Sequence, residues 1–186
     1  NLTTWSHRTQ ETDKNIGPET YKRVFELLLR LKANYLWPAM HPYSDFFNKY
    51  RENPELADRY GIVVGSSHPE ALLRNGVHEW EPWIAEHPNP DGSAPVYDYT
   101  VNPAVISDYW RARARQNAAY ESSWTLGMRG LHDSALETRN ATTIPEKVVV
   151  MNDIIADQRR ILAEEVGAAA EPDLHPVQGG PGPVQR

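Results

Sequence analysis

The sequence predicts an α/β fold, an incomplete (β/α)8 barrel of the TIM type with about three parallel strands and flanking helices. Short runs that are apolar throughout alternate along the chain with segments of helical period, which is typical of a parallel sheet covered by helices. The chain has 186 residues, fewer than the ~250 of a complete barrel. No glycine-rich phosphate turn follows a strand to support the alternative, a small doubly wound sheet.

The first half of the chain contains two predicted strands. Residues 1–17 are polar without helical period and predict a loop. Pro18 begins a helix that runs to about Lys32, because proline at the first helical position loses no hydrogen bond and apolar residues recur at helical spacing. The next elements are strand Ala33–Trp37, a loop or short helix over Tyr43–Tyr50, helix Pro54–Tyr60, strand Gly61–Gly65 and a short helix over Ser67–Asn75.

The second half contains one predicted strand between two long helices. Trp80–Thr100 is rich in Pro, Asn and Gly, and it predicts an irregular excursion. A helix from Asn102–Pro103 to about Glu121, strand Trp124–Gly130, and a helix from Thr143–Pro145 to about Gly167 follow. We therefore expect the partial barrel to span residues 1–166 and residues 167–186 to be a disordered tail.

Composition narrows the classes of function. The chain has 19 basic and 25 acidic residues and a net charge of −6, which argues against a nucleic-acid partner. It has no cysteine, which excludes thiolate metal sites, disulfides and cysteine nucleophiles. No apolar run approaches the ~18 residues of a membrane helix, and no signal peptide is visible, so no membrane partner is expected.

Polar and aromatic side chains follow all three predicted strands. In a parallel barrel the chemistry lies just beyond the carboxyl ends of the strands. The candidates there are Trp37 and His41 after the first strand, His68 and Glu70 after the second, and Arg129, His132 and Asp133 after the third. Three histidines at converging strand ends suit a metal, but no HxH or HExxH spacing supports one. We expect neither a metal nor a cofactor.

Each candidate also has a purely structural explanation that stays open at this stage. Trp37 suits a core position, His68 and Glu70 suit a helix cap with a first-turn acid, and Arg129 with Asp133 suits a local ion pair. The run GMRGLHDS directly after a strand is harder to explain by packing alone. Five loop aromatics suit either sugar stacking or a loop core, namely Trp5, Trp80, Trp83, Tyr97 and Tyr99.

Several of these segments resemble the α-glucuronidases of glycoside hydrolase family 115. The resemblance rests on GPETYKRVFELLLRLKANYLWPAMHP, ADRYGIVVGSSHPEALLRNGVHEW, YDYTVNP and TLGMRGLHDSAL, in that order. It implies a barrel domain of a multidomain enzyme that removes glucuronic acid or its 4-O-methyl ether from glucuronoxylan, by inverting hydrolysis of an α-1,2 bond. Glucuronoxylan or aldouronic oligosaccharides are the expected partners. A homodimeric parent protein and a secreted or periplasmic location are compatible with the resemblance.

The resemblance also implies roles for single residues. Asp133 would be a catalytic carboxylate, Arg129 would hold the uronate carboxylate, and Trp37 would lie near the sugar's 4-position. The other expected substrate-binding residues are His41, His68, Glu70, Asn75 and His132, with Glu79 as a further pocket group. An inverting hydrolase needs two carboxyl groups ~6.5–9.5 Å apart, and Asp133 supplies at most one of them.

Two segments of the family pattern are not found in this sequence. A strand ending in an Asn-Asp-Glu motif is expected just before Asn1. A segment resembling QIFTPYKEVQDLYNA, with a candidate second catalytic glutamate, is expected where Pro172–Arg186 reads PDLHPVQGGPGPVQR. One choice of synonymous codons for this tail encodes QIFTPYKEVQDLYN when it is read one base later, which predicts a frameshift near Glu171–Pro172.

We therefore expect a fragment of an α-glucuronidase with marginal stability and negligible activity. Two alternatives stay open. One is a non-catalytic remnant that binds acidic xylan, and the other is a pseudogene product without a ligand.

Overall fold

A computed structural model of the chain describes residues 2–9, 13, 15–167 and 172–173. These residues form six α-helices, α1 Leu2–Thr9, α2 Pro18–Arg30, α3 Glu52–Tyr60, α4 Gly76–Glu86, α5 Pro103–Asn117 and α6 Ile144–Glu165. They also form four short strands, β1 Tyr35–Leu36, β2 Val63–Val64, β3 Trp124–Thr125 and β4 Pro172–Asp173. The part of the chain that the structure describes is thus rich in helix and contains little strand.

The four strands are parallel and follow one another in chain order. β1 pairs with β2, and β3 pairs with β4, each through two residue pairs. A parallel bridge between Val64 and Ser122, and a hydrogen bond of 3.0 Å from the Ser123 N–H to the Val64 carbonyl, bring β2 beside the start of β3. Because the strands are parallel, the loops that leave their carboxyl ends lie on the same side of the sheet.

The helices enclose two apolar clusters. The smaller cluster lies between α2, α3 and the first two strands, around the fully buried Phe25 and Ile62. The larger cluster lies between α4, α5, α6 and β3, around Trp110, Trp124 and Ile154. Each such side chain contributes roughly 1.5–3 kcal/mol when it is removed from water. The candidate residues after β2 and β3 are therefore anchored to packed elements.

The prediction of a loop over residues 1–17 is wrong for residues 2–9, which form α1. This helix has no apolar stripe and is held by polar contacts. The hydroxyl of Thr20 donates to Ser6 at 2.7 Å, and Ser6 in turn donates to the carbonyl of Asn15. Asp13 accepts the N–H of Thr20 at 2.8 Å and so caps α2. Pro18 occupies the first turn of α2 as predicted.

The irregular excursion predicted over Trp80–Thr100 is also wrong in its first part, which belongs to α4. Pro82 lies inside this helix, where proline normally removes a hydrogen bond and breaks the element. Here Asn75 caps the helix by accepting the N–H of His78 at 3.0 Å. Trp80 and Ile84 are buried on its inner face. The cap at Asn75 and the burial of Trp80 and Ile84 stabilise the helix by more than Pro82 destabilises it.

The third strand is shorter than the predicted Trp124–Gly130. Beyond Thr125 the backbone bonds to a side chain of α6 instead of a neighbouring strand. The amide of Gln158 donates to the Gly127 carbonyl at 2.8 Å and accepts the Gly127 N–H at 2.7 Å. Gly127 adopts a φ of 105°, which only glycine adopts readily. The segment leaves the sheet at this point and leads to Arg129.

Most of the predicted tail over residues 167–186 lies outside the described residues. Within it, Gly167 follows α6, and residues 172–173 form β4. Among the described residues, no helix combines the length and the apolar character that a bilayer crossing requires.

Candidate functional site

A cavity of about 250 Å³ opens beyond the carboxyl ends of β1, β2 and β3. Segments that follow each of these strands contribute to its wall, together with Tyr97. Five of the candidate residues line it, namely His41, Glu70, Asn75, His132 and Asp133. Most of the other residues of the wall are apolar, such as Met40 and Leu131. Its volume lies just below the roughly 300–1,000 Å³ of sites for drug-sized ligands, which suits one sugar unit.

Asp133 joins the loops that follow β2 and β3. Its Oδ1 lies 3.0 Å from Nε2 of His68 and 2.6 Å from Nε of Arg129. The Arg129 guanidinium also donates to the Asp133 backbone carbonyl at 3.1 Å. The local ion pair that the sequence left open is therefore present. It stands at the edge of the cavity, and the Asp133 side chain remains 45% exposed.

Two pairs of residues beside the cavity adopt left-handed backbone conformations. Leu72 and Leu73 have φ values of 49° and 61°, and His132 and Asp133 have values of 58° and 65°. Such positions cost on the order of 1–3 kcal/mol for residues other than glycine, and they cluster at functional sites. The short helix predicted over Ser67–Asn75 is accordingly only a 3-10 turn, Ala71–Leu73, with Leu72 kinked out of helical geometry.

Glu70 and Asn75 form a polar pair in the cavity wall. The Asn75 side chain accepts the N–H of His78 and donates through Nδ2 to Oε1 of Glu70 at 2.6 Å. Asn75 is thus the cap of α4. His68 and Glu70 precede a 3-10 turn and do not begin an α-helix. Burial raises the pKa of Glu70 to about 7, and the charge of Glu79 adds to this effect. The hydrogen bond from Asn75 and the charge of Arg113 oppose it.

The raised pKa of Glu70 predicts a pH-dependent stability. The folded state favours the protonated form, so the free energy of unfolding should fall as pH rises from the ordinary value near 4.5 to about 7. We expect a loss on the order of 1–3 kcal/mol over this window. Urea unfolding at several pH values measures it, and the Glu70→Gln variant should lack this loss. Equal slopes for the two proteins would contradict the prediction.

A buried ion cluster supports the cavity wall from behind. Oε1 of Glu79 accepts from Arg74 at 2.8 Å and also contacts the Arg113 guanidinium. Oε2 of Glu79 accepts the backbone N–H of Asn75 at 2.8 Å. Arg74 lies 4.1 Å from the centre of the Tyr109 ring. Burial lowers the pKa of Arg113, although Glu79 opposes this shift. Glu79 therefore holds Asn75 in place and does not line the cavity itself.

Three aromatic candidates, Trp37, Trp80 and Tyr97, occupy positions that the sequence alone did not specify. Trp37 is 43% exposed, donates from Nε1 to the Tyr35 hydroxyl at 2.8 Å, and is not part of the described wall. Trp80 is buried on α4 and meets Tyr97 edge to face, with ring centres 4.8 Å apart. Sequence reasoning placed Tyr97 only among loop aromatics. Within the described residues, no cluster of three His, Asp or Glu suits a metal ion.

Two of three comparisons find proteins that are similar to this chain. The sequence model of glycosyl hydrolase family 115 matches residues 1–175. Eleven chains of solved structures match as well. One is a family GH115 4-O-methyl-α-glucuronidase with specificity for decorated arabinogalactans, with a TM-score of 0.80 and 36% identity, covering 92% of this chain. The search of curated proteins gives no match.

The matched structure is much longer than this chain, which covers 22% of it. The family match nevertheless includes α1 to α6 and the cavity residues that follow β1, β2 and β3. The chain belongs to glycosyl hydrolase family 115.

Proposed function

We propose that this chain is the uronic-acid-binding part of an α-glucuronidase catalytic domain. The observation that supports this most directly is the contact of one carboxylate, Asp133, with both Arg129 and His68 beside a cavity for one sugar. A planar guanidinium suits a carboxylate because it can donate two parallel hydrogen bonds. In the free protein the Asp133 carboxylate contacts the Arg129 guanidinium. The uronate of the substrate would compete with Asp133 for this guanidinium.

We further propose that β1, β2 and β3 are consecutive strands of a (β/α)8 barrel. Their parallel order along the chain and the helices between them support this architecture. The cavity at the carboxyl ends of the strands is where barrel enzymes place their chemistry. In this proposal residues 1–166 form the partial barrel.

The proposed reaction is hydrolysis of the α-1,2 bond between (4-O-methyl)glucuronic acid and xylose in glucuronoxylan. One carboxyl group protonates the leaving oxygen while another takes a proton from the attacking water. Asp133 is one candidate carboxylate. The glutamate of the PYKEV segment is the expected second reacting carboxyl group, and Glu70, in the same wall as Asp133, is a substrate-binding group. Decorated arabinogalactan, the substrate of the matched glucuronidase, is the second substrate class to test.

We propose that the reading frame changes near Glu171–Pro172. The family match ends at residue 175, whereas the chain continues to Arg186. The frame-restored protein, which regains the PYKEV glutamate, should release 4-O-methylglucuronic acid from glucuronoxylan at least ~10²-fold faster than this chain. Chromatography of the released acid measures the difference. A nucleotide sequence that lacks the QIFTPYKEV codons in the shifted frame, or strong release by this chain, would contradict the proposal.

Ligand binding separates the catalytic proposal from its two alternatives. The proposed function requires this chain to bind glucuronic acid more tightly than xylose, which calorimetry or NMR titration measures. Binding without turnover in the frame-restored protein would favour a carbohydrate-binding remnant. If neither protein binds glucuronic acid, the proposed function is wrong and the pseudogene alternative is favoured.

A further inference from the structure

A second, wider groove adjoins the sugar-sized cavity. It has a volume of about 640 Å³ and shares Tyr97, Gly130 and Leu131 with the cavity, so these three residues form a common wall. Its lining also contains three charged residues, the buried Asp98 and the exposed Glu137 and Arg139. The cavity and the groove therefore adjoin at these three residues.

Hydrogen bonds join the two loops that line the groove, residues 98–100 and residues 139–140. Asp98 is only 4% exposed and accepts the N–H and the hydroxyl of Thr100 at 2.9 and 2.6 Å. Its other oxygen accepts the backbone N–H of Arg139 at 2.7 Å. The Asn140 side chain also joins the two loops, because it donates to the Thr100 carbonyl at 2.9 Å. These contacts fix the backbone from which the Arg139 side chain extends.

Two charged side chains of the groove are available to a ligand. Glu137 and Arg139 are exposed, and neither side chain has a polar partner among residues 2–9, 13, 15–167 and 172–173. A carboxylate accepts hydrogen bonds from hydroxyl groups, and a guanidinium donates to hydroxyl oxygens. The ring of Tyr97, held against Trp80, adds an aromatic surface. This combination suits a neutral sugar with several hydroxyl groups.

We propose that this groove is a second subsite that binds the neutral sugars to which the uronic acid is attached, with Glu137 and Arg139 as its polar contacts. The proposal rests on the proposed function, because the uronic acid must occupy the adjoining cavity.

The test compares three probes by calorimetry on the full chain: glucuronic acid, xylotriose, and xylotriose substituted with 4-O-methylglucuronic acid. We expect the substituted trisaccharide to bind at least about tenfold more tightly than glucuronic acid. Arg139→Ala and Glu137→Ala should each remove most of this gain and leave the affinity for glucuronic acid unchanged. Arg159→Ala, an exposed arginine of α6, is the matched control and should bind all three probes like the wild type.

The outcomes distinguish the subsite from the proposed function. Unchanged affinity of the Arg139→Ala and Glu137→Ala variants for the substituted trisaccharide would overturn the subsite while the proposed function stands. If xylotriose binds in an Arg139-dependent way but glucuronic acid does not bind, the groove is supported and the proposed function fails. If no probe binds to the wild type, both fail.

Discussion

The Glu79→Ala variant should lose about 3–5 kcal/mol of unfolding free energy, the cost of breaking a buried ion pair from one side. Glu79 is the shared counter-ion of two guanidinium groups, those of Arg74 and Arg113, and all three side chains are at least nine-tenths buried. Without the carboxylate, both cations remain buried and repel one another. For a chain of this length we expect the melting temperature to fall by roughly 10 °C.

Urea unfolding followed by circular dichroism measures this loss. Glu164→Ala is the matched control, because Glu164 also contacts two arginines, Arg111 and Arg160, but lies at the surface. Surface pairs of this kind contribute little, so the control should unfold like the wild type. Similar unfolding of the two variants would show that the buried cluster does not support the fold in the way we infer.

Removal of the Arg129 guanidinium should weaken glucuronic acid binding by about 10–100-fold, because a hydrogen bond to a charged group contributes ≈ 1.5–3 kcal/mol. The affinity for xylose, which has no carboxylate, should not change. Arg129→Ala tests the loss of the group, and Arg129→Lys keeps the charge but removes the planar fork, so it should restore only part of the affinity.

Asp133→Asn provides the complementary test. In the free protein Asp133 lies 2.6 Å from Nε of Arg129 and competes with the ligand for it. Its neutral variant should therefore bind glucuronic acid more tightly than the wild type while any hydrolysis decreases. Titration by NMR measures both effects on the same samples. Weaker binding by Asp133→Asn, or wild-type binding by Arg129→Ala, would contradict the assignment of Arg129 to the uronate.

Local signals were sufficient for the elements with strong caps and apolar periodicity. Pro18 begins α2, and Thr143 begins α6 with a capping box that includes Glu146. Elements that depend on distant contacts could not be predicted in this way. α1 is stabilised by the hydrogen bond between Ser6 and Thr20, residues far apart in the chain.

The candidate site residues were predicted from the rule that chemistry follows strand ends. It selected His41, Glu70, His132 and Asp133, which line one cavity. It gave no indication of Arg113, whose contact with Glu79 bridges two helices. Such pairs depend on how helices pack, and neither residue has a local pattern that would reveal its partner.

The reversed handedness of the main chain at His132 and Asp133 limits how this site can change over generations. An L-residue with a branched β-carbon is poorly tolerated at such φ values, whereas glycine, asparagine and aspartate are accepted. Among acidic residues, aspartate at 133 satisfies both the chemistry and the geometry, and glutamate would satisfy only the former. Fewer amino-acid types should therefore be accepted at His132 and Asp133 than at Glu137 or Arg139, where φ imposes no such constraint.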